Sequence, residues 1–490
     1  MTIETRGDGA IDMRPRNYIF KYQVKSVQNH FQSFLKRYQN EIPYFLFGLL
    51  GVIVFGKVVG FKYFIFDDGS HIYLSEPMLR HKPADLIWFW KNTAMPVILT
   101  VWWFIALLFG VENPMPFHCF NLLLHLVNST LVILLIQEIF LLLFKSAKTS
   151  EIKWASFFGG AVFLLHPVQA EVAAWSSCGK DLLATFFGLL CLRVYFQSRA
   201  SGKLPEPFTK KAIQFYLFFA LSFFSKVPAA ALLPLCLWLD LAFFRFSWKK
   251  VLKLYGPVLM VILLGYFQLR ATPQAEYLSF VPTGRWRLYV ILDALSFYFS
   301  KVLTPISLYF DYGHMPFRVI RGALFSPGIY VVQWVSVVLI LSAIVGSCFI
   351  KKFRPLHLGL IIFLVMILPY TGIIPFAFQN VSTTADRYFY FSIFGFAIFL
   401  AVGFHLIPFK KWKPYAAGTL ILLFAMKTTV QVGYWKDSES ILRYTIKNNP
   451  VSFASHVALG KILVSQGKTA EGGLHFQTGN NLMEEARHGF

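Results

Sequence analysis

The stretch PYFLFGLLGVIVFGKVVGFKYFIFDDGSHIYLSEP, residues 43–77, sets the fold class of this 490-residue chain. It begins with an apolar run over 43–62, which is long enough to cross a hydrocarbon core of about 30 Å. Two adjacent aspartates, Asp67 and Asp68, follow that run. Neighbouring carboxylates repel each other and are costly near hydrocarbon. The pair therefore marks either a solvated loop or a site.

The composition of the whole chain excludes a soluble globular domain. The residues are 56% hydrophobic, 18% aromatic and 14% charged, with a mean hydropathy of +0.56. The formal charge of +22 lies mostly in short loops between apolar runs, where basic residues orient a membrane protein. We therefore predict no nucleic-acid partner. The five cysteines are scattered and show neither a disulfide framework nor a metal-binding spacing.

The apolar runs predict an all-α polytopic membrane protein of eleven transmembrane helices. Five loops between runs carry sixteen Lys and Arg against two Glu. Placing these loops in the cytoplasm satisfies the positive-inside rule, with the N-terminus inside and the C-terminus outside. Two further stretches, 96–111 and 288–308, are expected to lie along the interface as juxtamembrane or re-entrant helices; if both cross, the count is thirteen. The eleven runs are 43–62, 117–143, 154–170, 181–197, 212–224, 227–245, 251–268, 327–350, 355–376, 388–407 and 413–433.

The composition becomes polar and helical after Trp435. Residues 450–484 fit one tetratricopeptide-type repeat, because Gly460 and Gly472 lie where that pattern places small residues; an ordinary helical hairpin is the alternative. One and a half repeats cannot bury a core alone, so this segment is expected to pack on the membrane domain or on a partner chain. The predicted domains are a basic cytoplasmic segment 1–42, a transmembrane domain 43–434 and an extracytoplasmic helical segment 435–490.

Ionisable residues gather on the predicted extracytoplasmic face, which indicates a cavity for a charged ligand delivered from the membrane. His118, Asn121 and His125 recur at i, i+3 and i+7, so they share one face of a span. For them an interhelical hydrogen bond is the favoured interpretation and a site the alternative. The other candidates are Asp67, Asp68, His166, Glu171, Lys180, Asp181, Lys226, Asp386, Arg387 and Tyr388.

These residue types suit sugar transfer from a lipid. A carboxylate can act as general base on a hydroxyl, and a Lys or Arg can neutralise a phosphate leaving group. The sequence has no Walker loop, nucleophile elbow, zinc helix or dinucleotide-binding fingerprint. The remaining donor is a polyprenyl-phosphate sugar that enters from the bilayer. Nothing demands a metal, although a divalent cation, Mg²⁺ or Mn²⁺, could bridge Asp68 and the phosphate.

On its motifs the chain resembles the GT-C superfamily of integral-membrane glycosyltransferases. More narrowly, it is similar to the transmembrane and TPR-repeat O-mannosyltransferases and their bacterial relatives, over about 43–480. The residues that carry the resemblance are Asp67-Asp68, His118, Asn121 and His125, His166-Pro167 with Glu171 and Asp181, Lys226, Asp386-Arg387-Tyr388, and Trp435, Asp437, Ser438, Glu439 and Leu442.

The resemblance implies an inverting glycosyltransferase. It would move a hexose, mannose in the family, from a polyprenyl-phosphate carrier to a hydroxyl of an extracytoplasmic protein or glycan, and its first extracytoplasmic loop would carry juxtamembrane helices. The expected roles are Asp67 or Asp68 as general base; Lys226, Lys180 and Arg387 at the donor phosphate; Glu171, Asp181 and His166 on the acceptor side; and His118, Asn121, His125 and Tyr388 in support.

Several positions depart from the family pattern. Gly179 stands where an Arg is usual, Val227 replaces a Glu, Met95 replaces an Arg, and no proline follows Tyr388 in Tyr390-Phe391-Ser392. Two other functions therefore stay open: a non-catalytic membrane scaffold that binds a partner through its repeat-like segment, and a transporter of lipid-linked sugar. The short repeat region favours a bacterial inner membrane over the endoplasmic reticulum.

Overall fold

The structure is a computed structural model that describes residues 41–201, 209–244, 248–270, 280–408 and 411–488. Some predicted segments lie wholly or partly outside these residues. They are the N-terminal segment 1–42, the loops 198–211, 245–250, 269–287 and 408–413, and the end of the segment 435–490.

Helices make up the secondary structure, and the described ranges contain no β-strand. The α-helices are α1 (Ile42–Phe55), α2 (Glu76–Arg80), α3 (Ala84–Asn92), α4 (Pro96–Phe109), α5 (Met115–Leu143), α6 (Thr149–Leu165), α7 (Gln169–Ala174), α8 (Gly179–Ala200), α9 (Lys210–Ser225), α10 (Leu232–Phe243), α11 (Trp248–Arg270), α12 (Gly284–Leu303), α13 (Pro316–Phe325), α14 (Pro327–Phe349), α15 (Arg354–Ile367), α16 (Ile393–Leu406), α17 (Lys413–Gly433), α18 (Ser438–Asn448), α19 (Phe453–Ser465) and α20 (Thr469–His488).

The chain divides into two compact units, Met1–Val52 and Ile53–Phe490. In the first unit the described residues are the start of α1, an apolar helix with no charged residue in its first or last turn. The second unit contains every other helix and all of the candidate site residues.

Within the described residues, four helices are long and apolar enough to span a bilayer: Ile42–Gly60, Met115–Leu143, Pro327–Phe349 and Lys413–Lys436. Helix α14 shows why the chain needs lipid, since Val332 and Leu339 are 68% and 64% exposed. Other apolar helices, such as Pro96–Phe109 and Ile393–Leu406, are shorter than 18 residues. The prediction of an all-α membrane protein is confirmed, whereas the count of eleven spans stays a prediction.

Helices α15 and α16 cross in backbone contact and place two aromatic residues of the site. A Cβ on Gly359 would lie 2.5 Å from the Phe399 nitrogen, and one on Gly395 would lie 2.2 Å from the Phe363 nitrogen. Only glycine permits so close an approach. Helix α15 leads into a 3₁₀ turn at Leu368–Tyr370, and the turn Asp386–Phe389 precedes α16. The rings of Tyr370 and Tyr388 stack there, with centroids 4.4 Å apart.

The C-terminal segment forms the predicted helical hairpin. Helices α19 and α20 pack closely, because Gly460 lies against the Gly472 carbonyl. The hairpin packs on the loop before α13, where Asn449 donates to the Asp311 carbonyl at 2.8 Å and the Ser452 hydroxyl donates to the Asp311 carboxylate. Its identity as a tetratricopeptide repeat stays a prediction.

Candidate active site

A cavity of about 1870 Å³ lies among the loop after Phe66, the ends of α3 and α4, the start of α10 and the segment 365–388. Its lining is charged in one part and apolar in another. We call Asp67, Lys180, Lys226 and Arg387 the charged wall; Glu76 also lines the cavity. The apolar lining includes Met95, Val227, Pro228, Ala230, Ala231, Pro234, Val365, Leu368, Ile373 and Ile374. Such a cavity accepts a ligand with a charged group and a hydrocarbon part.

The two neighbouring aspartates face different surroundings. Asp68 is 0% exposed, and its carboxylate accepts hydrogen bonds from the Phe64 nitrogen at 2.8 Å and from the nitrogen and hydroxyl of Ser177 at 2.8 and 2.5 Å. The Asp67 side chain is 44% exposed and receives a hydrogen bond from Lys180 at 2.9 Å. The two aspartates differ in exposure because residues 67–73 form a helical turn, which points successive side chains in different directions. Asp67 is thus the carboxylate open to a ligand.

Their protonation differs for the same reason. Burial raises the pKa of Asp68 to about 6, although its three hydrogen bonds oppose the shift. Burial acts in the same direction on Asp67, but the charge of Lys180, followed by that of His71, outweighs it and holds the Asp67 pKa below its usual range. Asp67 is therefore ionised at neutral pH.

The other two cations of the charged wall are also paired with acids. Lys226 forms an ion pair with Asp181 and lies 5.1 and 5.3 Å from the ring centroids of Tyr370 and Tyr388. Lys226 has extended backbone between α9 and the turn Val227–Ala231, so its side chain leaves the helix end. Asp181 is 4% exposed and therefore compensates the cation from behind the cavity surface.

Arg387 is held by Glu171 on the short helix α7. The guanidinium donates to Glu171 Oε1 at 2.7 Å, and the Arg387 backbone nitrogen donates to Oε2 at 2.9 Å. The ring of Phe378 lies 4.1 Å from the guanidinium carbon. Two hydrogen bonds and a stacked ring fix the orientation of this cation. Each cation of the wall thus has one carboxylate partner, and an incoming anion would share the cation.

The polar stripe, which is His118, Asn121 and His125 on α5, lies behind this wall and does not line the cavity. His118 Nε2 is 3.3 Å from the Ser176 hydroxyl, and Asn121 donates to the Trp175 carbonyl at 2.9 Å. His125 bonds both the Tyr390 hydroxyl and the Leu164 carbonyl at 3.0 Å. The stripe therefore connects α5 to its neighbours, as the structural interpretation of its spacing predicts.

His166 resembles the residues of the stripe, because it is buried, bonds to a protein group and does not line the cavity. It is fully buried at the end of α6, and its Nε2 lies 3.0 Å from the Val302 carbonyl. Tyr388, in contrast, lines the cavity beside Lys226 and Arg387. Of the predicted residues, the cavity brings together Asp67, Lys180, Lys226, Arg387 and Tyr388; Glu171 and Asp181 act on it through their cations.

Several lining residues escaped the sequence interpretation. His71 lies in the opening stretch itself, four residues after Asp67, and lines the cavity. Only the helical turn over 67–73 puts it beside Asp67, and no apolar periodicity indicates that turn in the sequence. Tyr370, Trp88 and Asn92 also line the cavity. Tyr370 lies in a turn, and Trp88 and Asn92 lie on α3; none of them has a motif around it.

The departures from the family pattern have local causes. A Cβ on Gly179 would lie 2.9 Å from Asn121 Oδ1 and 3.2 Å from Trp102 Nε1, so the usual Arg has no room at this position. The next residue, Lys180, supplies a cation to the cavity instead. Met95 and Val227 line the cavity as apolar side chains. One of the missing charges is thus replaced by a neighbour.

A bridging metal on Asp68 does not fit this arrangement. Both of its carboxylate oxygens already accept hydrogen bonds. Among the residues that the structure describes, no group of three or more His, Cys, Asp or Glu could hold a metal ion. Asp68 is therefore not the residue that would hold a divalent cation.

Comparison with known proteins finds relatives of low sequence identity among protein O-mannosyltransferases. No family model matches the chain. It is 23% identical over 327 residues to Protein O-mannosyl-transferase F38B6.6 of Caenorhabditis elegans. This match covers 64% of this chain and 44% of that protein. It is 24% identical over 472 residues to Protein O-mannosyl-transferase TMTC4 of Mus musculus. This match covers 82% of this chain and 62% of that protein.

A solved structure is similar as well. The crystal structure of the Archaeoglobus fulgidus oligosaccharyltransferase covers 86% of this chain and 58% of that one, at 13% identity and a TM-score of 0.42. The sequence matches confirm the resemblance predicted from the motifs: the chain is similar to protein O-mannosyltransferases. The aligned part spans about half of their length.

Proposed function

We propose that this chain is an inverting glycosyltransferase. It moves a hexose, mannose by resemblance, from a polyprenyl-phosphate carrier to a hydroxyl of an extracytoplasmic protein or glycan. The observation that carries the proposal is the cavity, in which an ionised carboxylate, three cations and an apolar lining face one volume. The O-mannosyltransferase relatives support the same class of reaction.

The donor fits both parts of the lining. Its phosphate lies among Lys180, Lys226 and Arg387, which neutralise the charge that grows on it as the sugar leaves. Its isoprenoid chain lies against the apolar lining, where burial of each methylene contributes about 0.8 kcal/mol. The leaving phosphate is already an anion, so no general acid is needed.

Asp67 is the general base. In the free protein its pairing with Lys180 makes it a weak base. When the donor phosphate draws Lys180 away, the proton affinity of Asp67 rises. Asp67 then takes the proton of the acceptor hydroxyl while that oxygen forms a bond to the anomeric carbon. The bond from this carbon to the phosphate oxygen breaks, its electrons leave with the phosphate, and attack from the opposite face inverts the configuration.

The membrane orientation follows from the basic loops. They support an N-terminus in the cytoplasm and a C-terminus outside, and on that orientation the proposed transfer takes place at the extracytoplasmic face. The favoured compartment is a bacterial inner membrane rather than the endoplasmic reticulum.

The proposal is tested by comparing lipid-linked sugars with nucleotide sugars as donors. The full chain in membranes is given labelled polyprenyl-phosphate mannose, glucose or galactose, or the corresponding nucleotide sugars, with the Asp67→Asn variant as negative control. We expect transfer from a lipid-linked hexose only, and the anomeric configuration of the product to be opposite to that of the donor. Equal transfer by Asp67→Asn, or transfer from nucleotide sugars alone, contradicts the proposal.

A further inference from the structure

His71 has an unused hydrogen-bonding group in the site. Its ring lines the cavity, yet its buried Nδ1 has no hydrogen-bond partner among the described residues. A buried polar nitrogen without a partner is unusual in a folded protein. Because the ring forms part of the cavity wall, water or a group of a bound ligand can supply a partner for the imidazole.

The position of the ring is fixed by its surroundings. It stacks on the buried indole of Trp102, with centroids 6.1 Å apart and planes 25° apart. It lies four residues after Asp67 on the helical turn 67–73, so both side chains point the same way. A ring held in one orientation beside the carboxylate is suited to recognition of a ligand group.

The imidazole is neutral at neutral pH. Burial, followed by the charge of Lys180, lowers the pKa of His71 to about 4, while Asp67 opposes the shift. A neutral imidazole has one donor and one acceptor nitrogen. It therefore matches a hydroxyl, which both donates and accepts, better than it matches a phosphate.

In the proposed reaction the sugar must lie between the base and the phosphate-binding cations. Its anomeric carbon is bonded first to the phosphate oxygen of the donor and then to the hydroxyl oxygen of the acceptor. His71 neighbours both Asp67 and Lys180. Resting on the proposed function, we propose that His71 binds a hydroxyl of the donor hexose and thereby contributes to selection of the sugar.

Donors that lack one hydroxyl test this directly. The full chain in nanodiscs is assayed with polyprenyl-phosphate mannose and with its 2-, 3-, 4- and 6-deoxy forms. His71→Phe keeps a ring on Trp102 and removes both nitrogens. We expect it to lower kcat/KM for the complete donor about tenfold, the loss typical of one hydrogen bond. One deoxy donor should be poor for the wild type but no worse for His71→Phe than the complete donor.

His81 provides a matched control. It lies in the same loop with its ring 6.3 Å from Trp103, and its buried Nε2 also has no partner among the described residues. It does not line the cavity. We expect His81→Ala to retain wild-type kcat/KM while His71→Ala loses at least as much as His71→Phe. Equal discrimination between the complete and deoxy donors in wild type and His71→Phe overturns the inference.

A second measurement separates this inference from the proposed function. Diethyl pyrocarbonate modifies neutral histidines, and mass spectrometry reports the modified fraction of His71. We expect polyprenyl-phosphate mannose to protect His71, and polyprenyl phosphate without sugar to leave it reactive. Protection by sugar without any transfer supports the contact and rejects the transferase. Equal protection by both lipids, or by neither, rejects the contact even if transfer is found.

Discussion

The charged wall and the polar stripe are both made of motif residues, but they differ in what satisfies them. The side chains of the stripe find their partners inside the protein, as His125 does with Tyr390 and Leu164. Each cation of the wall has one carboxylate partner and also lines the cavity, as Lys180 does beside Asp67. The stripe does not line the cavity and its contacts are with protein groups, so it holds the scaffold, whereas the wall faces the volume in which we propose that the substrate binds.

Asp67 and Asp68 give this comparison its largest expected effect. Asp67→Asn should lower the transfer rate by ~10²–10⁴-fold, the usual loss for a general base, with little change in thermal stability. Asp68→Asn places an amide where three donors point and should destabilise the fold by about 1–3 kcal/mol. Transfer per folded molecule and the thermal midpoint are measured for each variant. The comparison breaks if Asp68→Asn alone abolishes transfer in protein of normal stability.

Lys226 sharpens the comparison next. Lys226→Met should lower kcat/KM for the lipid donor by about 10–100-fold, because the phosphate loses a cation. It also leaves Asp181 as an uncompensated buried charge, which lowers stability. Adding Asp181→Asn should restore stability but not transfer.

A buried ion pair outside the cavity serves as a control for the effect of removing an ion pair on stability. Arg199 and Asp240 form a buried ion pair and do not line the cavity. The corresponding double variant, Arg199→Met with Asp240→Asn, should keep wild-type kcat/KM per folded molecule. If Lys226→Met with Asp181→Asn also recovers transfer to within a few-fold of wild type, Lys226 does not bind the phosphate.

The stripe should give the opposite result. His125→Phe removes two hydrogen bonds and leaves the Tyr390 hydroxyl and the Leu164 carbonyl short of a partner, so we expect a loss of about 1–3 kcal/mol in the free energy of unfolding. Transfer per folded molecule should stay within about threefold. Leu123→Phe, at a position on α5 that is 60% exposed, is the control and should change neither value. A large fall in transfer at unchanged stability would move His125 into the reaction.

The smallest expected effect is on pH dependence. Asp68 titrates near 6 in the folded protein and near its ordinary value of 3.8 in the unfolded chain. Between these values the folded state binds more protons, so this group's contribution to stability falls as pH rises. Between pH 5 and 7 the fall is about 1 kcal/mol. Thermal midpoints in nanodiscs over this range should slope less for Asp68→Asn than for wild type; identical slopes contradict the raised pKa.

Much of the fold could be predicted from sequence, because apolar runs and basic loops report directly on the bilayer. The members of the wall could also be named from motif spacing. Motif spacing could not predict whether a given side chain faces the cavity or the protein interior. Asp67 and Asp68 are adjacent in sequence, yet of the two only Asp67 lines the cavity. That division depends on Ser177, more than one hundred residues away in sequence. His71 was missed for the same reason, because its neighbours come from a turn and from α4.

The Gly359–Gly395 contact limits which walls of the cavity are able to separate. The backbones of α15 and α16 are in contact at these two glycines, and the stacked rings of Tyr370 and Tyr388 lie at the ends of the same two helices. If the proposed lipid carrier is exchanged through a wall of the cavity, we expect the opposite side to open, where Lys226 lies in extended backbone between α9 and the turn that precedes α10.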